Sequence, residues 1–154
     1  MFRKIEIIPF KDEYVQEVLE ILEENFNNPW SDKLFRSKIP FLMQKILLID
    51  EKIAGFAEFK IVEDEADLQM IVLKKEYQKK GYGKLFLSKL INELKEKGIE
   101  YIYLEVSEKN ESAFNLYKKL GFKELDIREK YYRNGDNAIL MKLKLHGEIH
   151  ENKK

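Results

Sequence analysis

The chain reads as an α/β protein: a mixed, mostly antiparallel sheet with helices on both faces, in the order β-α-α-β-β-β-α-β-α-β-β. Three observations carry that reading. Short alternating or apolar runs and stretches of helical spacing replace one another along the chain. A strand-helix-strand-helix centre lies between hairpins, which implies a mixed sheet covered by helices on both sides. Gly98 and Gly121 stand just past two helical stretches, where a C′ residue belongs. The 154 residues suit one domain over 1–145, with a polar tail over 146–154 that should fray. A chain of this size buries roughly 68–70% of its unfolded surface, enough for a self-sufficient core.

The elements follow in order. Ile5-Glu6-Ile7-Ile8 alternates and meets Pro9, an opening strand. Val15, Val18, Leu19, Leu22 and Phe26 recur at helical spacing, with Asp12 and Glu13 near the positive end of that helix. Ser31 is a plausible N-cap for a second, short helix through Leu34 and Phe35 to about Lys38, and Pro40 stops it. Strands follow over 45–50 and 53–63, around a turn at Asp50-Glu51-Lys52, and again over 68–73. After Gly81 and Gly83 a helix carries Leu87, Leu90, Ile91 and Leu94 as one stripe. The segment 101–106 is a strand. Asn110 caps a helix that shows Ala113, Leu116, Tyr117 and Leu120 on one face, and Phe122 supplies the contact beyond Gly121. Two last strands, 123–132 and 138–145, flank the hairpin signal Asn134-Gly135-Asp136.

Composition removes several kinds of chemistry. There is no Cys, so disulfides, thiolate zinc sites and a cysteine nucleophile are excluded. The only histidines, His146 and His150, fall in the tail, which leaves no Ser-His-Asp triad on the folded body. Any reaction must use carboxylates, Tyr, Lys, Ser and backbone groups. Lys plus Arg equals Asp plus Glu at 28 each, so no global basic field exists to hold nucleic acid or an anionic membrane. No apolar run approaches the roughly 18 residues of a membrane span. The N-terminus lacks the long apolar stretch of a secretory signal, and a cytoplasmic protein is expected.

The most informative segment is Gln78-Lys79-Lys80-Gly81-Tyr82-Gly83-Lys84, between a strand and a helix. The first amides of a helix have no internal partner and lie at its positive end. Glycines let backbone close around a ligand, and Lys79, Lys80 and Lys84 add charge. Together these describe a diphosphate cradle. The missing Lys-Ser/Thr ending excludes a P-loop, and the missing third glycine excludes the dinucleotide fingerprint. The plainer alternative, a tight turn with solvated lysines, stays open on the turn alone.

With that turn on the page, the chain resembles the GCN5-related N-acetyltransferases (the GNAT family). The Gln-x-x-Gly-x-Gly turn is similar to the family motif that holds the pyrophosphate of acetyl-CoA. Tyr101-Ile102-Tyr103-Leu104-Glu105-Val106, Asn110, Ala113, Leu116-Tyr117 and Leu120-Gly121-Phe122 resemble its second half. The stretch from Ile127 to Tyr132 and Ala138-Ile139-Leu140-Met141 resemble its protein N-terminal acetyltransferase branch. Pro29-Trp30-Ser31 and Phe35 resemble the leading segment of the RimI-like enzymes, which acetylate the N-terminal alanine of a ribosomal protein.

The resemblance implies a GNAT fold and an acetyl-CoA-dependent N-acetyltransferase. The amine would attack the thioester directly, with acetyl-CoA as co-substrate and no metal. It implies Glu105 as general base and Tyr117 as proton donor to the departing thiolate. Ile71, Val72 and Leu73 would pair with the pantetheine. Gln78, Lys79, Lys80, Gly81, Tyr82, Gly83 and Lys84 would hold the pyrophosphate, and Asn110 would touch the pantetheine arm. Trp30, Tyr131 and Tyr132 would meet the acceptor.

Each of these has a plainer alternative. Glu105 lies on the strand face of Tyr101 and Tyr103, where a strand covered on both sides would desolvate it; it could instead be a salt-bridged strand-end residue. Tyr117 could be a core tyrosine, and Tyr131 and Tyr132 cross-strand packing. The implied partner is a protein or peptide N-terminus, a ribosomal protein among the candidates, with no direct nucleic acid, no membrane, and a monomer or weak dimer. One departure stands out. The hairpin Arg133-Asn134-Gly135-Asp136-Asn137 is several residues shorter than that of the bacterial RimI-like enzymes and lacks the Pro after the paired tyrosines, which shifts the chain towards archaeal-type enzymes of broader choice. The competing functions are acetylation of a small amine or lysine, or a CoA- or peptide-binding module without turnover.

Overall fold

The structure is a computed structural model that describes residues 3–26 and 41–146. Seven strands form one sheet: β1 (Ile5–Pro9), β2 (Leu42–Ile49), β3 (Lys52–Val62), β4 (Glu65–Leu73), β5 (Tyr101–Ser107), β6 (Lys123–Arg128) and β7 (Ala138–Lys144). Their order across the sheet is β1-β2-β3-β4-β5-β7-β6. The helices among the described residues are α1 (Val15–Asn25), α2 (Tyr82–Glu96) and α3 (Glu111–Lys119). The β4–β5 pair is parallel, and β1–β2, β2–β3, β5–β7 and β6–β7 are antiparallel. This is the expected mixed, mostly antiparallel sheet. The short second helix expected after Ser31 lies outside the described residues, as does Trp30.

The chain resolves into two compact units, one of Met1–Lys60 with Gln69–Leu87, the other of Ile61–Leu68 with Ser88–Lys154. In the first, Pro9 ends β1 on the outermost strand, where a residue without an amide donor is tolerated. Ile49 pairs with Lys52, so β2 and β3 are joined by Asp50-Glu51 alone. Both have positive φ, 49° and 70°, the signature of the two-residue turn whose twist suits a hairpin. A 3₁₀ turn at Asp12–Tyr14 leads into α1, which buries Val15, Val18, Ile21 and Leu22 against Ile46, Ile53, Phe56 and Val72. Phe26 does not join that stripe. The helix ends at Asn25, whose Nδ2 donates back to the Ile21 carbonyl at 2.8 Å, and Phe26 is left 43% exposed.

Residues next to one another on a strand point to opposite faces. Phe56 meets α1, whereas a Cβ at Gly55 would lie 3.5 Å from the Phe86 ring of α2. Helices therefore cover both faces of this unit. The same hypothetical Cβ would come within 2.8 Å of the Val72 carbonyl oxygen, so glycine is required there by close backbone approach.

In the second unit, β5 pairs with β7 from Tyr101↔Lys144 to Ser107↔Ala138. Ile102, Leu104 and Val106 are buried on one face. Both helix stops obey the local rule that predicts them. The Ile99 amide donates to the Leu94 carbonyl and that of Gly98 to Lys95, each at 3.1 Å, with Gly98 at φ 87°. The Phe122 amide donates to the Tyr117 carbonyl and that of Gly121 to Lys118, each at 3.0 Å, with Gly121 at φ 102°. One strand is shorter than expected: β6 ends at Arg128, and Tyr131 and Tyr132 stand in the loop over 129–137. Among the described residues no helix is long and apolar enough to cross a membrane.

Candidate active site

The glycine turn is built as its composition suggests. A 3₁₀ turn at Lys75–Tyr77 follows β4, Lys79 takes φ 61°, Gly81 takes φ 90°, and α2 begins at Tyr82. The first bond of the helix runs from the Leu85 amide to the Gly81 carbonyl at 3.2 Å. The amides of Tyr82, Gly83 and Lys84 precede it and have no partner within the helix. A Cβ at Gly81 would meet nothing within 4 Å, so its left-handed backbone, and not crowding, demands glycine. Lys79, Lys80 and Lys84 are exposed. Lys80 Nζ donates to the Glu76 carbonyl at 2.9 Å. Three amides at a helix N-terminus, two left-handed residues just before them and lysines at the margin form a donor set that fits a diphosphate.

Gln78 has a use that the sequence does not reveal. Its Nε2 donates to Asn25 Oδ1 at 2.7 Å and to the Leu73 carbonyl at 2.9 Å, and Asn25 Nδ2 reaches the same carbonyl at 3.0 Å. The two amides tie the end of β4 to the end of α1 and to the start of the turn. Asn25 gave no sequence signal beyond its place near a helix end. Ile71 and Leu73 are half-buried and Val72 is buried. The β4–β5 ladder covers Glu65–Asp67 with Tyr101–Tyr103 only, so β4 runs on through Ile71–Leu73 outside that pairing.

The second unit gathers the titratable residues. Glu105 stands opposite Leu140 in the β5–β7 register. It is exposed, which corrects the expectation that helices on both sides would desolvate it. Tyr132 is half-buried, and its phenol is pushed up by burial, then by the Glu105 carboxylate, then by Tyr131. Tyr117 is 8% exposed, and burial, with Tyr132 beside it, pushes its hydroxyl up to about 12. Glu105, Tyr132 and Tyr117 thus share one electrostatic neighbourhood. A phenol held in this way keeps its proton at every ordinary working pH; it is a donor and not a base.

The local frame accounts for these positions. Asn110 caps α3 through Oδ1, which accepts the Ala113 amide at 3.2 Å, as expected. Tyr117 sits one turn before the Gly121 stop, and its ring meets that of Phe122 edge-on at 5.8 Å. Tyr131 packs edge-on against Tyr132 at 5.2 Å, and the Arg128 guanidinium lies 5.7 Å from the Tyr131 ring centre. The hairpin closes over Arg133-Asn134-Gly135. The Gly135 amide donates to the Tyr132 carbonyl at 2.9 Å and the Tyr132 amide to the Asp136 carbonyl at 3.2 Å, with Gly135 at φ 90°. This is a three-residue loop with glycine in its left-handed place.

The first unit offers a helix N-terminus fit for a diphosphate, and the second groups a carboxylate with two phenols; each is a feature that group-transfer chemistry uses. The chain belongs to the acetyltransferase (GNAT) family, whose model matches residues 15–122. Members use acetyl-CoA as co-substrate, and this chain is an N-acetyltransferase. It is 40% identical over 131 residues to the [ribosomal protein bS18]-alanine N-acetyltransferase of Haemophilus influenzae, covering 82% of this chain and 89% of that one. To the enzyme of the same name from Escherichia coli K12 it is 40% identical over 119 residues, 75% and 80% of the two chains. The crystal structure of the E. coli ribosomal-protein-S18-alanine N-acetyltransferase superposes with a TM-score of 0.85 at 34% identity, over 92% of this chain and 94% of that one. Ard1 from Thermoplasma volcanium shares the fold, with a TM-score of 0.80 at 19% identity over 92% and 97%.

Proposed function

We propose that this N-acetyltransferase acts on the α-amine of a protein N-terminus, of the alanine-first ribosomal kind named for its relatives, in the cytoplasm. It would work as a monomer or weak dimer, without nucleic acid or membrane. The observation that carries the reading is the grouping of Glu105, Tyr132 and Tyr117, a proton acceptor open to solvent beside a phenol that keeps its proton.

Acetyl-CoA supplies the acetyl group as a thioester. The amides of Tyr82, Gly83 and Lys84 and the left-handed turn at Gly81 hold its diphosphate, with Lys79, Lys80 and Lys84 as counter-charge. Asn110 and the β4 backbone at Ile71–Leu73 hold the pantetheine. Gln78 acts through the carbonyl of Leu73, fixing the end of β4. An α-amine has an ordinary pKa of about 7.7–8 against about 10.4 for lysine, so it becomes neutral with less help near pH 7. Glu105, directly or through a water, accepts its proton. An amide of the Ile71–Leu73 segment steadies the tetrahedral oxyanion, an effect worth about 3–4 kcal/mol in other enzymes. Tyr117 donates its proton to the leaving sulfur. Tyr131 and Tyr132, with Trp30, meet the acceptor.

The test is thiol release from acetyl-CoA with an alanine-first peptide, an Nα-blocked lysine peptide and a polyamine. Faster release with the alanine-first peptide supports the reading. Preference for either other amine refutes it, and release with none of them favours a binding module.

A further inference from the structure

We propose that Asn137 is a positioning residue for the acceptor, holding the loop that carries Tyr131 and Tyr132. The inference rests on the reading of those tyrosines as acceptor contacts.

The loop over 129–137 is exposed along most of its length, and only Tyr132, Asp136 and Asn137 are half-buried. Two of those three are polar, and polar contacts tie the loop to its neighbours. Asn137 makes three. Its Oδ1 accepts the Lys130 amide at 2.9 Å, its Nδ2 donates to Glu108 Oε2 at 3.2 Å, and its carbonyl accepts the Glu108 amide at 3.1 Å. One residue therefore joins the far side of the loop to the segment that follows β5, directly after Ser107, the partner of Ala138.

The contact to Lys130 matters most, because Lys130 has φ 50°, a left-handed backbone that is uncommon for a residue with a side chain. That bend follows the end of β6 at Arg128 and leads the chain into Tyr131 and Tyr132. Asp136 supports the same arrangement from the next position: its carbonyl accepts the Tyr132 amide at 3.2 Å, and its Oδ2 accepts from Ser107 Oγ at 3.4 Å and Asn134 Nδ2 at 3.0 Å. Asp136 and Asn137 thus hold the loop on both sides of the tyrosine pair.

The chemistry requires an amide at 137. The position must accept from Lys130 and donate to the Glu108 carboxylate at once. Asparagine does both, whereas aspartate offers only acceptors and would set a second carboxylate against Glu108. A loop fixed before the acceptor arrives loses less freedom on binding, so the effect belongs in acceptor affinity and not in acetyl-CoA binding.

The experiment compares wild type, Asn137→Asp, Glu108→Gln and the double variant. Three things are measured: KM for the alanine-first peptide, KM for acetyl-CoA, and the rate at which trypsin cuts after Lys130 and Arg133. Asn137→Asp is expected to raise peptide KM about tenfold, leave acetyl-CoA KM within about twofold and speed loop cutting. Glu108→Gln alone leaves a good acceptor for Asn137 and changes little. In the double variant the new amide at position 108 can donate to the new carboxylate at position 137, and both peptide KM and cutting rate return most of the way.

Unchanged cutting in Asn137→Asp, or no recovery in the double variant, overturns the proposal at the anchor. Faster cutting with unchanged peptide KM overturns it at the tyrosines, and locates the fault in their reading as acceptor contacts. Equal losses in both KM values, with a lowered melting temperature, show a merely structural role and also overturn it.

Discussion

The Phe122 amide donates to the Tyr117 carbonyl at 3.0 Å while the two rings meet edge-on at 5.8 Å. The signal that stops α3 also holds the proposed proton donor. The hinge of that arrangement is Gly121, at φ 102°, where a Cβ would press on Leu143 Cδ1 at 3.2 Å. Gly121→Ala should cost about 1–2 kcal/mol in urea unfolding and lower turnover more than it weakens acetyl-CoA binding. Wild-type stability would show that the stop does not depend on glycine.

Tyr117 makes a separate prediction at high pH. Above pH 10 an unfolded chain ionises this phenol while the folded chain keeps it neutral up to about 12. The folded state then binds more protons, so stability falls as pH rises through that window. The loss assignable to Tyr117 is about 2 kcal/mol by pH 12. Tyr117→Phe should flatten that part of the alkaline stability curve. An unchanged slope between pH 10 and 12 would contradict the burial of its hydroxyl.

Glu105→Gln keeps the shape of the side chain and removes its basicity. Turnover should fall on the order of 10²–10⁴-fold, the usual span for a lost general base, with acetyl-CoA affinity nearly intact by calorimetry. Full turnover would assign proton removal to another group.

Gly81 and Gly98 form a matched pair. Both hold left-handed backbone, φ 90° and 87°, and at both a Cβ would meet nothing within 4 Å. Valine at either should cost similar stability, at least about 1 kcal/mol. Only Gly81→Val should weaken acetyl-CoA binding, by tenfold or more. Equal affinity in the two variants would move the diphosphate away from this turn.

Much of this was legible because the rules involved are local. Asn110 caps its helix, and Gly98 and Gly121 end theirs, through contacts that span at most five residues. Strand alternation correctly put Glu105 on the face of Tyr101 and Tyr103 and Leu104 on the other. Alternation says which face a side chain takes, not what covers it, and Glu105 proved exposed. The aromatic run at Tyr131-Tyr132 reads as strand, but the left-handed Lys130 breaks it, through a hydrogen bond to Asn137 seven residues on. Phe26 fits the helical spacing, yet Asn25 turns its side chain back on the helix. The tie between Gln78 and Asn25 joins residues 53 apart, beyond any window of sequence pattern.

The most direct measurement is where the acetyl group goes. A peptide with a free N-terminal alanine and one internal lysine is incubated with the enzyme and acetyl-CoA, then mapped by tandem mass spectrometry. The predicted result is acetyl on the alanine nitrogen, with the lysine unmodified. Acetyl on the lysine ε-amine, or an unmodified peptide, would contradict it.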